Sequence, residues 1–385
     1  MIFVQGLTVS PSPHINKFVT TQKVMLMVLI ALLPAVVASG IIFGPRAILV
    51  IAVSAVSAVL WEFIARIVMR KENTISDLSA AVTGVLLAMN LPVTIPLWMV
   101  VLGTFIAIVI VKQLFGGLGQ NFANPAIVAR IVLLISFGAQ MTTWVKPYYY
   151  KNGYDLTTSA TPLLSSTGVS YKDLFLGNVG GSLGETCALA LLIGGFFLVL
   201  TRVISPSTPL AFIGSLALFS FISGGDPLYD ILAGGVMLGA IFMATDYVTT
   251  PITNMGKIIF GIGCGFITFA IRKWANMPEG TSFAILLMNI VTPYIDMVTK
   301  THPVGGGVKL KKAKKALKEA KIELSLAKNE LSKAEKLLKK AKKKSSTDIE
   351  KLAVEVETLK SKLSEAKSAV KEAKKILKEV KNHER

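Results

Sequence analysis

Polar groups suited to chemistry are few in this 385-residue chain, and the densest cluster is Asp155-Leu156-Thr157-Thr158-Ser159-Ala160-Thr161-Pro162-Leu163. Taken alone, hydroxyls gathered ahead of a proline describe a turn. Arg130 lies inside an apolar run, where a charge is costly and turns toward protein or an aqueous cavity. Asn121 and Asn289 stand near Pro125 and Pro293. Their amide oxygens suit a path for a hard cation such as Na+, with helix capping at a break as the competing role. Gly116, Gly117 and Gly119 resemble a phosphate loop, but no strand precedes them and no Gly-Lys-Ser/Thr follows, which favours close helix packing or a helix break. Cys187 and Cys264 fall in apolar stretches without a Cys or His at metal-ligand spacing, and read as small packing residues.

The segments that must position these groups are apolar. Hydrophobic residues make up 52% of the chain and the mean hydropathy is +0.60, too apolar for a surface that faces only water. Runs approaching the ~20 residues of a membrane span cover roughly 24–43, 47–68, 78–95, 97–114, 125–142, 186–203, 209–223, 228–245, 257–275 and 283–299. They predict an all-α polytopic membrane protein of about ten helices. The stretches ending Leu91–Pro96 and Thr245–Pro251 predict broken or half helices, tolerable where protein or a cavity satisfies the freed backbone.

The net charge of +18 is unevenly distributed. From Lys309 onward there are 25 basic and 12 acidic residues, so +13 sits on a tail and only +5 on the rest. The charge therefore does not point to a nucleic-acid partner. With a cytoplasmic N-terminus, nine Lys and Arg near the spans fall inside and six outside, and the basic tail strengthens that orientation. Both termini are then cytoplasmic and the loop 143–185 is extracytoplasmic. No signal-peptide cleavage site precedes the first apolar run, which is expected to stay.

Two offsets hint at an internal repeat. At 155, Gly84, Val93, Thr94 and Pro96 fall on Gly239, Val248, Thr249 and Pro251; at 168, Phe115, Leu118, Asn121 and Pro125 fall on Phe283, Leu286, Asn289 and Pro293. Five spans separate the copies, so they run in opposite directions, an inverted five-plus-five repeat with Asn121 and Asn289 at equivalent breaks.

After the Gly-rich linker 304–308, Leu310, Leu317, Leu324, Leu331 and Leu338 recur every seven residues, with Ala313, Ala320, Ala327, Ala334 and Ala341 three places after each. That heptad, the polar turn Lys344–Asp348 and a second seam from Leu352 to Val380 predict an antiparallel coiled-coil hairpin over 309–385. It either binds a neighbouring subunit or anionic headgroups, or stands self-paired in solvent.

The run from Asp155 to Thr161 resembles the flavinylation site of the RnfD and NqrB families, in which an Asp lies six residues before the threonine and Ala just ahead of it. Asp155, Thr158, Ser159, Ala160 and Thr161 meet that pattern, with Ser159 where many relatives have Gly. Further runs similar to RnfD are Ser12-Pro13-His14, Phe115–Asn121, Asn124-Pro125-Ala126, Gly184-Glu185, Ala244–Pro251 and Leu287-Met288-Asn289. The likeness spans nearly all of the membrane domain and leaves out the basic hairpin.

The resemblance implies that a flavin transferase moves FMN from FAD onto the Thr161 hydroxyl as a phosphoester. Covalent tethering keeps a flavin on an external loop from being lost by dilution. It also implies a subunit of the Rnf complex in the bacterial cytoplasmic (inner) membrane, coupling electron flow between ferredoxin and NAD to Na+ or H+ translocation beside other membrane and peripheral subunits. No NAD or ferredoxin site is legible, so catalysis belongs to the assembly. From the NqrB side comes a second, non-covalent flavin such as riboflavin. Arg130 is then a candidate contact for a flavin phosphate or another polar flavin group, against an internal hydrogen-bond role.

The expected division is a cytoplasmic segment 1–23, a flavin-bearing membrane domain 24–303, the linker 304–308 and the hairpin 309–385. An NqrB-type subunit of a Na+-translocating NADH:quinone reductase, a non-redox channel or transporter for a small solute, and a scaffold docking through its coiled coil are the alternatives.

Overall fold

The computed structural model describes residues 20–152, 161–163, 169–275, 279–299, 306–343 and 349–383. Helices and turns make up these residues, with no β-strand among them. The chain divides into two compact units, 1–299 and 300–385.

In the first unit, α1 (Thr21–Phe43) begins where the Thr20 hydroxyl accepts from Lys23 N, and α2 (Pro45–Val68) follows a single glycine, Gly44. Then come α3 (Ser79–Met89), α4 (Leu97–Gln113), α5 (Pro125–Ser136), α6 (Ala188–Leu200), α7 (Ser207–Ile222), α8 (Pro227–Leu232), α9 (236–243), α10 (Asn254–Trp274) and α11 (Gly280–Thr299). Among the described residues α1, α2, α10 and α11 are long and apolar enough to cross a membrane, and α3 to α7 are shorter apolar helices. Outward-facing Ile135, Phe196, Phe221 and Val298 are each more than half exposed, the apolar exterior of a protein solvated by lipid.

Small residues bring the helices together, as expected where lipid removes the hydrophobic drive for association. A Cβ on Gly194 of α6 would collide with the Ala31 carbonyl of α1, and one on Gly265 of α10 would strike Ser215 of α7. Residues 90–96 and 244–253 interrupt the helices at both of the expected breaks. The π-helical stretches Ile106–Gln113 and Gly239–Met243 lie in α4 and α9, a geometry often found at functional sites.

Asn121 and Asn289 do not occupy equivalent breaks. Asn121 lies in the turn before α5, whereas Asn289 and Pro293 lie inside the continuous helix α11. Threonines of that helix bond backward along it, Thr292 Oγ1 donating to Met288 O at 3.0 Å and also reaching Thr249 O at 3.0 Å in the second break.

Two ends of the bundle are distinguishable by their contacts. At one, Tyr148 N donates to Ile42 O at 2.8 Å, Arg46 Nη2 to Ile95 O at 3.1 Å and Leu183 N to Leu91 O at 3.0 Å, which joins the α1–α2 turn, the first break and the long loop after α5. At the other, the Tyr247 hydroxyl meets Val203 O, joining the second break to the α6–α7 turn. The second unit holds α12 (Gly306–Lys343) and α13 (Ile349–His383), packed on each other with Ala313, Ala334, Val356 and Ala366 buried.

Candidate functional site

Thr161 emerges from the long loop as a buried residue, 7% exposed, and its Oγ1 has no hydrogen-bond partner among the described atoms. A buried hydroxyl left without a partner costs ~1–3 kcal/mol. Asp155, Ser159 and Ala160 lie outside the described residues. Just beyond Thr161 the chain is fastened by Tyr229, whose hydroxyl donates to Pro162 O at 2.6 Å. Tyr229 itself is fixed by α8, which starts with Asp226 as N-cap and Pro227 at its first position.

Thr161 lines a small void of about 20 Å³ with Trp144, Leu174, Glu185, Thr186, Leu232 and Glu279. The unpartnered hydroxyls of Ser182 and Thr186 add to the orphaned set at this end. Pro162 and Leu163 also border a larger cavity of about 510 Å³, whose other walls include Tyr171, Tyr229, Phe269, Arg272 and Lys273. The Tyr171 hydroxyl bonds Asp226 across its rim and holds that carboxyl below its usual range.

Behind the void lies Arg130, 3% exposed at its side chain. Its Nη1 donates to Ser282 Oγ at 2.5 Å and its Nη2 to Glu279 Oε2 at 2.6 Å. Glu185 Oε1 is 3.0 Å from the same Nη2, close enough to pair by charge without a well-aligned hydrogen bond. Glu185 is held by the preceding turn, where Gly184 N donates to Met89 O at 2.8 Å. Gly235 leaves the room it needs, since a Cβ there would come within 2.5 Å of Glu185 Oε1. Two carboxylates thus share one guanidinium. Burial lifts the Glu279 carboxyl to about 7; Arg130 opposes that rise and Glu185 adds to it. Arg272 closes the group, its Nη1 and Nη2 donating to Asp230 O at 2.6 Å and Ala233 O at 3.0 Å.

The other end carries a second buried polar group. Lys112 Nζ pairs with Glu62 Oε1 at 2.8 Å and donates to Ser79 Oγ at 2.6 Å, while Gln113 Nε2 donates to the same Glu62 oxygen at 2.7 Å. Gly117, at φ +101°, lets the backbone pass Arg66, whose Nη2 would lie 2.6 Å from a Cβ there. Lys112, Asn121, Asn124 and Asp246 border a cavity of about 80 Å³, and Asn121 Oδ1 is buried without a partner. Asn289 is engaged elsewhere: in the amide orientation that satisfies both its ends, it donates to Thr249 O and accepts from Asn124 N, each at 3.1 Å. Asn124 in turn caps α5 and donates to Met243 O at 3.3 Å.

The structure therefore brings Arg130 into the neighbourhood of Thr161 through Glu185 and Glu279, and separates Asn121 from the bridge that Asn289 makes with Asn124. Glu62, Lys112 and Glu279 are functional candidates that no sequence motif marks. The rule that singles out Arg130, an ionisable group inside an apolar run, applies equally to Glu62 and Lys112.

A sequence profile of the NQR2, RnfD, RnfE family matches residues 8–305, and the chain belongs to that family. It is 47% identical over 319 residues to the D subunit of the Na(+)-translocating ferredoxin:NAD(+) oxidoreductase complex of Acetobacterium woodii, covering 81% of this chain and 99% of that one. It is 41% identical over 319 residues to the D subunit of the proton-translocating ferredoxin:NAD(+) oxidoreductase complex of Clostridium ljungdahlii, covering 77% and 96%. The D subunit of the ion-translocating oxidoreductase complex of Salmonella typhimurium is 36% identical over 345 residues, covering 77% and 98%.

Proposed function

We propose that the chain is the D-type membrane subunit of an ion-translocating ferredoxin:NAD oxidoreductase (Rnf) complex, with FMN held covalently on Thr161. Relatives of that name match almost end to end, and the buried, unpartnered Thr161 hydroxyl is the observation that carries the flavin assignment. Attachment consumes FAD: the Thr161 oxygen bonds to the FMN phosphorus, the pyrophosphate bond breaks, AMP leaves and the hydroxyl proton is released. A flavin transferase, as the resemblance to the RnfD family implies, is proposed to carry out this step.

The larger cavity begins at Pro162, next to Thr161 in the chain, and has room for a tricyclic ring between Tyr171, Tyr229 and Phe269. Lys273 is the cation there for an ester phosphate, beside Asp226, Asp230 and an Arg272 already bonded to two backbone carbonyls. Bound there, FMN supplies electron transfer. The protein's part is to hold Thr161 by the Tyr229–Pro162 bond and to set the local charge through Arg130, Glu185 and Glu279.

Ten spans in an inverted repeat form part of the same proposal. A single offset of 155 carries α1, α2, α3, α4 and α5 onto 176–198, 200–223, 234–244, 252–268 and 280–291, which overlap α6, α7, α9, α10 and α11. That support replaces the offset of 168. Both ends of the chain then share the cytoplasmic side, and Thr161 faces outward. Asn121, bordering the cavity of Lys112 and Asp246, remains the candidate for the Na+ or H+ path, with Asn289 positioning it through Asn124. A non-covalent riboflavin belongs to the proposal as a second flavin, counted by acid extraction. The basic C-terminal unit is proposed to be an antiparallel hairpin: residues 344–348 reach at most about 18 Å, and α12 is roughly 57 Å long, so α13 can pack along it only by turning back.

The test is ferredoxin-driven NAD reduction by the whole complex in sealed liposomes. Electron flow accompanied by Na+ or H+ uptake, and lost with Thr161→Ala while the complex stays assembled, is the expected outcome. Uptake and electron flow undiminished in Thr161→Ala would remove Thr161 from the electron path.

A further inference from the structure

The two helices of the C-terminal unit lie beyond the family match, which ends at residue 305, so their role must come from their own residues. Their charge is graded. In the hairpin, 309–321 lie opposite 371–383, and these 26 residues hold twelve lysines and three glutamates, net +9. The other 44 helical residues, 322–343 and 349–370, hold eleven lysines and seven glutamates, net +4. The surplus sits at the end where α12 begins, six residues in sequence after the last apolar helix α11.

Apart from Lys315, the described lysines at that end make no ion pair. Lys312, Lys314, Lys315, Lys318, Lys321, Lys371, Lys374, Lys375 and Lys378 are exposed. Among the described residues of this unit the one ion pair is Lys315–Glu319 at 3.8 Å. A coiled coil needs only its Leu/Ala seam to fold; concentrating like charge at one end costs self-repulsion that an even spread would avoid. A surface of opposite sign offsets that cost.

We propose that this end of the unit binds anionic lipid headgroups of the bilayer that holds α11. Polybasic segments next to a membrane helix are drawn to anionic lipid, and the six-residue connection keeps the local concentration of headgroups high. The charge-poor end, 322–343 with 349–370, is left free of the lipid surface. The proposal rests on the hairpin reading, which is checked separately by a disulfide between cysteines placed at Ala320 and Ala373, formed in any lipid.

The test is trypsin cleavage of the full chain in nanodiscs of phosphatidylcholine alone or mixed with phosphatidylglycerol, read by mass spectrometry. In the anionic discs at low salt, cleavage after Lys314, Lys318, Lys374 and Lys378 slows at least about tenfold, and about 0.5 M salt restores it. Cleavage after Lys336 and Lys339 is unchanged. Glutamine in place of Lys312, Lys315, Lys321, Lys371 and Lys375, which leaves the four monitored sites cleavable, with helicity retained by circular dichroism, abolishes the lipid effect. Equal cleavage in both discs overturns the proposal, as does protection that appears only with other subunits bound and equally in neutral discs, which would assign the charge to a protein partner.

Discussion

Arg130 Nη2 lies 2.6 Å from Glu279 Oε2 and, with Ser282 on its other nitrogen, ties the start of α11 to the middle of α5. Arg130 to Gln removes the cation that ion-pairs with both Glu185 and Glu279 and leaves two carboxyls without that partner. Removing one member of a buried pair costs ~3–5 kcal/mol. The expected result is a clear fall in the thermal unfolding midpoint, with Lys restoring part of it because an ammonium cannot reach Ser282, Glu279 and Glu185 together. Flavin content measured alongside separates stability from cofactor contact: full flavin in a folded Arg130→Gln protein excludes an essential contact.

Glu279 supplies a pH signature. Its folded pKa, about 7, lies above the ordinary 4.5 of a free carboxyl. The folded state therefore binds more protons than the unfolded state between these values, and stability falls as pH rises through that window, by ~3 kcal/mol. Below the window both states are protonated and the penalty is absent; above it the penalty is complete. Glu279→Gln is expected to flatten the dependence of the unfolding midpoint on pH between about 4.5 and 7. An unchanged slope in the variant would place the proton elsewhere.

Lys112 and Glu62 lend themselves to a double-mutant cycle. Lys112→Met alone leaves Glu62 buried with Gln113 as a neutral donor and is expected to cost ~3–5 kcal/mol. The double change Lys112→Met with Glu62→Gln is expected to recover much of that loss, since no charge is then stranded. Additive losses would show that the two residues act independently.

The close approach of α7 and α10 gives a packing prediction. Gly265→Leu forces a side chain against Ser215 and the Phe212 carbonyl, which lies 2.7 Å from the Cβ position. Overpacking and backbone shift together are expected to cost at least ~1–3 kcal/mol, read as reduced yield of folded protein in detergent. Leu at Gly214, which has open space around its Cβ position, is the control and is expected to be tolerated.

Hydropathy made the helices legible because a lipid-facing exterior requires long apolar runs, and α1, α2, α10 and α11 follow those runs within a few residues. Pro92, Pro96 and Pro251 marked the breaks for an equally local reason. The partners of Arg130 were not legible, since Glu185 and Glu279 lie 55 and 149 residues away and meet it only through tertiary packing. The equivalence of Asn121 and Asn289 failed because four matching letters carry no backbone information, and a proline can sit inside a continuous membrane helix. Thr161 was reached from its sequence motif; its burial and missing partner are properties of the fold.

Covalent flavin on Thr161 is tested most directly by denaturing the protein, made in a host with a flavin transferase, and viewing the gel under ultraviolet light. The expected result is a fluorescent band at the mass of this chain, 41.3 kDa, that is absent in Thr161→Ala. A dark band for the unmutated protein, or fluorescence that persists in Thr161→Ala, would contradict the assignment.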